Sequence, residues 1–382
     1  FYYHLYNEYY HDFRRAFDYT SRIKAIIERN HVTGRLASSY ALVYYWRGDL
    51  LFGIGNYKDA YEEYFKGREV GEKVLDACGL SDYNYRLGKV LFQQERYDQS
   101  LKQFIECYEQ QKVCTESYTF NYRAQEVLGN IGLCYYRLDM PDSAAYYYNA
   151  ALAFIDRKLI PGTSYQRRLF NAAKAVATGN LGSVYDQLGQ DSMAEASYKE
   201  SIYLNVESGR EFKDAMLTSL KLARHYDKAD NDVKMHHVLM GSRDMLDSIP
   251  DKEAERDWNY LMSRYYAGKD LSQAYNHLVR YEFLQDSLNT VQKALKSSDL
   301  REHLNNIERA RDNRPAEKQR GKTVFPGAGC GRCQPLYRNY CLYLLLYAET
   351  QILYTPPRPA AQTCIRAEGT DGTGFPEAGG GQ

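Results

Sequence analysis

The sequence predicts an all-α solenoid built from antiparallel helix pairs. Three observations carry this: a recurring spacing of small and aromatic residues, turn-forming residues at a fixed place within it, and decay of the pattern toward the end. In the stretch 128–151, LGNIGLCYYRLDMPDSAAYYYNAA, take Gly132 as the reference. Tyr135 lies three residues on, Ala144 twelve, Tyr148 sixteen and Ala151 nineteen. Gly182 with Tyr185, Ala194, Tyr198 and Ser201 repeats the rule, as does Gly48 with Leu51, Ala60, Tyr64 and Gly67. A fourth copy is Gly88 with Leu91, Ser100, Phe104 and Cys107.

Such spacing fits two helices that cross at the reference Gly and the small residue twelve further on, because a larger side chain there would push the backbones apart. Gly48, Ala60, Gly88, Gly132, Ala144, Gly182 and Ala194 are therefore the predicted packing positions, with the aromatics filling the space beside each crossing. Between the helices stand breakers and caps: Gly55-Asn56, Asp139-Met140-Pro141-Asp142 and Gly189-Gln190-Asp191-Ser192. These residues resemble the tetratricopeptide repeat (TPR), whose helix–turn–helix unit carries the same small, aromatic, small, aromatic, small order. The resemblance implies a right-handed solenoid whose function is recognition.

Taken in order, 1–35 reads as a partial repeat with Ala16 in the small-residue place. The chain starts inside this pattern at Phe1, so the amino terminus is expected to be cut and any signal peptide to lie upstream. References then fall at Gly48, Gly88, Gly132 and Gly182, more widely spaced than in the standard unit, which calls for longer helices or longer connections such as 159–164. Weaker copies follow at Ala223 (Tyr226, Met235, Leu239) and Met262 (Tyr265, Ala274, Leu278), completing an array of about six repeats over 1–281. Residues 282–312 read as a long, polar linker helix. Its leucine seam, Leu284, Leu288, Val291 and Leu295, is short and coiled-coil-like, and it offers a route to a homodimer. From 313 to 382 helical periodicity disappears among prolines and glycines, and this tail is expected to be disordered or translated out of frame.

Charge excludes little and chemistry finds no foothold. The formal net charge is +0, which argues against direct nucleic-acid binding. Most of the 38 tyrosines fall on repeat positions, where packing explains them. In the tail, Cys330 and Cys333 form one Cys-x-x-Cys with no second pair to complete a zinc site. Cys107 and Cys134 read as core residues, and no disulfide can be read from the spacing. The histidines are scattered, and no phosphate loop, nucleophile elbow or His-Glu-x-x-His motif is present. No catalytic residue, metal or cofactor is expected.

The TPR resemblance implies a concave groove lined by the first helix of each pair, with residues two before, one after and five after the reference facing it. The columns read Trp46, Arg86, Asn130, Asn180 and Lys221; Asp49, Lys89, Leu133, Ser183 and Arg224; Gly53, Gln93, Arg137, Gln187 and Lys228. Asn130 and Asn180 match the place where peptide-binding members hydrogen-bond the ligand backbone. Arg86, Lys89, Arg137, Lys221, Arg224 and Lys228 face Asp49 as the only acid of the columns, which predicts an acidic peptide or exposed carboxylate as partner.

Beyond the generic repeat, AVATGNLGSVYDQLGQDSMAEASYKESIYLN, the run 214–223 and the stretch from Ala274-Tyr275 to Leu288 resemble the sensor regions of Bacteroidetes-type membrane signalling proteins. That resemblance implies a periplasmic array followed by a helix, a membrane span and a histidine kinase or DNA-binding output of a two-component system. In this chain the span and output are missing after Arg314, so the membrane enters only through them. The expectation is the partner-binding sensor of a bacterial signal-transduction receptor. The alternative is a soluble TPR adaptor or scaffold in the cytoplasm.

Overall fold

The computed structural model describes residues 12–295 apart from 32, 115–116 and 208–210, together with Tyr3. Among the described residues there are helices and turns and no strand. After α1 (Phe13–Arg29), which buries Ala16 completely, the helices follow as antiparallel pairs. They are α2 (Ala37–Gly53) with α3 (Tyr57–Gly71), α4 (Ala77–Gln93) with α5 (Tyr97–Gln111), and α6 (Tyr118–Arg137) with α7 (Pro141–Lys158). Then come α8 (Ser164–Gln187) with α9 (Asp191–Glu207), α10 (Phe212–Lys228) with α11 (Asp232–Ser248), and α12 (Lys252–Tyr266) with α13 (Leu271–Leu295). Six pairs carry the six predicted references.

Caps written in the sequence start most of these helices. Asn56, Asp76, Ser117, Asn231 and Asp251 each accept a hydrogen bond from a first-turn amide, and Thr163 with Gln166 forms a full capping box ahead of α8. Pro141 takes the first turn of α7, where its missing N–H costs nothing. The wide repeat spacing has both predicted sources: α6 and α8 run to 20 and 24 residues, and 159–163 connects α7 to α8.

At the reference glycines the aromatic sixteen residues on is the nearest contact. A Cβ on Gly88 would meet the Phe104 ring at 2.7 Å, and one on Gly132 or Gly182 would meet Tyr148 or Tyr198 at 3.0 Å. On Gly48 it would run into the Tyr64 ring and stand 3.0 Å from the Ala60 carbonyl oxygen. Ala60, Ala144 and Ala194 are fully buried beside these contacts. Each pair then buries its apolar stripe against the next, so the core is a series of small clusters rather than one centre.

Five of the six turns inside a pair share one backbone device. The residue seven after the reference is left-handed in five pairs: Gly55, Glu95, Asp139, Gly189 and Asp230, with φ between +52° and +79°. Glycine accepts that conformation freely and glutamate does not. Glu95→Gly is therefore expected to stabilise the chain by about 1 kcal/mol, read as a higher urea midpoint at unchanged slope.

Two features depart from what the sequence offered. Cys78, in the first turn of α4, is bonded to Cys114 just beyond α5, with Cα atoms 5.5 Å apart, closing the open end of the second pair. The seam residue Leu284 is buried within the array, because α13 runs through residue 282 without a break. The remainder of the predicted linker, 296–312, and the tail 313–382 lie outside the described residues.

Candidate functional site: a pocket on the concave face

First helices touch first helices along the array, α6 with α8, α8 with α10 and α10 with α12, so their free sides form one continuous face. The three predicted columns lie on it. At its centre α6, α8 and α10 enclose a pocket of about 400 Å³ lined by Leu133, Arg137, Asn180, Ser183, Lys221, Arg224 and Lys228, all column residues. Tyr136, Tyr148, Tyr198 and Asp186 complete the wall. The other three predicted residues sit elsewhere: Arg86 and Lys89 on α4, and Asn130 half-buried on α6 with no hydrogen bond to a described residue.

Electrostatics divide the face in two. Toward the amino-terminal end the cations are already engaged. Arg86 is buried and clamps Asp49 with both arms, Nε to Oδ1 at 2.9 Å and Nη2 to Oδ2 at 2.8 Å, while the Tyr64 hydroxyl donates to Oδ1 at 2.9 Å. Burial pushes the Asp49 carboxyl up, but Arg86, with help from Lys89 and Tyr64, overrides this and holds it below the ordinary carboxylate value. Lys89 lies with its ammonium 4.5 Å from the Phe52 ring centre.

In the pocket the balance changes. Arg224 pairs with Asp257 at 3.0 Å, and Lys228 pairs with Asp186 at 2.6 Å. Asp186 also receives His225 Nδ1 at 2.9 Å. Asp191 brings a third potential metal ligand within 4.8 Å of Asp186 and His225, but Lys228 already supplies the positive charge there. Arg137 and Lys221 remain. Arg137 has no carboxylate partner among the described residues. Among the described residues Lys221 donates only to Asn180 Oδ1, at 3.2 Å, and burial followed by the neighbouring Arg137 pushes it down to about 8. Below them the Tyr148 hydroxyl is buried without a hydrogen-bond partner, and burial raises it above the ordinary tyrosine value. Two cations that repel one another, an amide and an unpartnered hydroxyl thus share a pocket whose one carboxylate, Asp186, is already engaged by Lys228 and His225.

Seven residues of this pocket are column positions, five of them expected as groove residues; its tyrosines fall outside the columns, Tyr148 and Tyr198 at position sixteen, which reads as packing, and Tyr136 four after its reference. The columns also hold Asp49 as their only acid. Asp82, six before its reference, and Asp186, four after its own, stand beside Arg86 and Lys228, while Glu126, six before its reference, pairs with Arg123 outside the columns; those offsets are legible in the sequence.

This geometry defines a class of protein, a TPR-like α-solenoid. A tetratricopeptide repeat family model matches residues 177–205, the end of α8 and almost all of α9, so the chain carries that repeat. The chain is also 25% identical over 221 residues to the Tonsoku-like protein of Mus musculus. The match takes in 57% of this chain and 16% of that protein, so the chain spans a small part of its relative. Among solved structures, aspartyl phosphate phosphatase F from Bacillus subtilis aligns with a TM-score of 0.55 at 14% identity, covering 81% of this chain and 77% of that one. A Rap protein complexed with competence and sporulation factor aligns with a TM-score of 0.52 at 18% identity, covering 76% and 80%. At these identities the likeness is one of fold.

Proposed function

We propose that the chain is a recognition module whose concave pocket takes an acidic, extended peptide or exposed carboxylate of a partner protein. The carrying observation is the pair Arg137 and Lys221, facing one pocket with no carboxylate in hydrogen-bond contact above the unpartnered Tyr148 hydroxyl. A ligand carboxylate relieves the repulsion between the two cations and accepts from both. Asn180 and Asn130 hold the ligand backbone on either side. A Rap protein of similar fold holds competence and sporulation factor, which accords with a solenoid of this kind used for recognition.

The array serves as the sensor of a bacterial two-component receptor on the periplasmic side of the inner membrane. The Cys78–Cys114 bond supports that placement, since disulfides persist in oxidising compartments and are rare in the cytosol. No helix among the described residues is long and apolar enough to cross a membrane, so the anchor belongs to another part of the receptor.

Titration calorimetry with a panel of acidic peptides tests the pocket. Arg137→Ala with Lys221→Ala is expected to weaken the tightest peptide about a hundredfold, since each removes a charge-assisted hydrogen bond. Asn130→Ala with Asn180→Ala is expected to cost about 1 kcal/mol or more, and a change under about twofold removes the asparagines from the site. Bound anion favours charged Lys221, so affinity holds below about pH 8 and declines above it.

A further inference from the structure

The position sixteen residues after each reference is closed in every pair but the last. Tyr64, Phe104 and Tyr148 are 1% exposed, Tyr198 2% and Leu239 0%, whereas Leu278 on α13 is 40% exposed. Three residues earlier the same change occurs: Tyr61 is buried and Leu101, Ala145, Glu195 and His236 are half-buried, but Tyr275 is 67% exposed. In the inner pairs the next first helix covers these positions. On α13 they stand bare in a row with Leu271, flanked by Val279 and Phe283.

The chain does not turn back at the usual place to cover them. Second helices end 23 to 26 residues after their reference, as Gly71 does after Gly48 and Lys158 after Gly132, but α13 runs to Leu295, 33 after Met262. That carries the chain about 25 Å along the axis beyond Leu278.

We infer that the outer face of α13 docks against the same face of a second copy of this chain, antiparallel about a twofold axis near Leu278. The face is self-complementary in that arrangement. Tyr275 of one copy meets Leu278 and Val279 of the other, Leu271 meets Phe283, and the acidic end, Glu282 and Asp286, comes beside the second copy's Lys269, an exposed cation that also pairs with Asp232 of its own chain. Five large side chains per copy bring on the order of 1,000 Å² across the pair, near the lower limit of a specific interface, so a dimer in the micromolar range is implied. This contact lies on α13, apart from the concave pocket, and holds whatever that pocket binds.

Sedimentation equilibrium of the full chain from about 1 to 200 µM decides it. The expected result is a mass rising from one chain toward two, with Tyr275→Glu plus Leu278→Glu raising the dissociation constant at least about tenfold while helical content and Tm stay unchanged, both residues being surface-exposed. Two results overturn it. One is a single-chain mass throughout, which assigns the bare face to residues beyond 295 or to another protein. The other is a variant that associates as tightly as the parent.

Discussion

Asp49→Asn is expected to destabilise the amino-terminal pairs by about 3 kcal/mol, at the lower end for breaking a buried ion pair because Asp49 keeps some contact with solvent. The loss comes from Arg86. Its side chain is 8% exposed, and among the described residues its one other acidic partner is Asp82 at 3.6 Å. An asparagine turns one acceptor into a donor aimed at that guanidinium, so the charge stays buried with half its bonds. The same pair fixes a pH dependence. A carboxylate held below its ordinary value contributes stability that is fully present above the unfolded pKa, about 4, and is lost as pH falls through the folded one. Urea midpoints measured from pH 7 downward should show that acid limb in the parent chain and a flatter one in Asp49→Asn. Equal limbs would show that Arg86 draws its compensation elsewhere.

Gly48→Val is expected to cost about 3 kcal/mol, since the first added carbon already runs into the Tyr64 ring and the Ala60 carbonyl blocks retreat. Neither helix can yield without opening the cluster of Tyr45, Tyr61 and Tyr64. Gly129→Ala provides the contrast. Nothing lies within 4 Å of that Cβ, and a helix-interior glycine exchanged for alanine gains up to about 1 kcal/mol. If both glycines respond alike, helix propensity rather than close approach governs the reference position. Tyr64→Leu should restore part of the Gly48→Val loss, a coupling a double-mutant cycle measures.

These two sites show what the sequence made legible. Gly48 and Tyr64 are sixteen residues apart, and their contact recurs at that spacing at Gly88, Gly132 and Gly182, so it can be recognised without knowing the fold. Asp49 and Arg86 lie in different pairs, 37 residues apart. Their charges appear in the columns, but as a free acid and a free base. The columns located the central pocket through Arg137, Asn180 and Lys221, and overstated the basic character of the rest by omitting the acids at neighbouring offsets. Cys78 and Cys114 were illegible as a pair because 36 residues of helix, turn and helix bring them together, and no spacing rule encodes that distance. Leu284 was read as a seam residue because a heptad step and an array-packing step look alike over two turns.

The most direct test of the recognition account is photo-crosslinking. A photoreactive side chain placed at Ser183, on the pocket wall, is exposed to an acidic peptide selected for binding, and the adduct is mapped by mass spectrometry. The account predicts an adduct that disappears in Arg137→Ala with Lys221→Ala while the variant keeps its helical content. An adduct that persists in that variant, or an acidic peptide that binds and crosslinks only outside α6, α8 and α10, would contradict it.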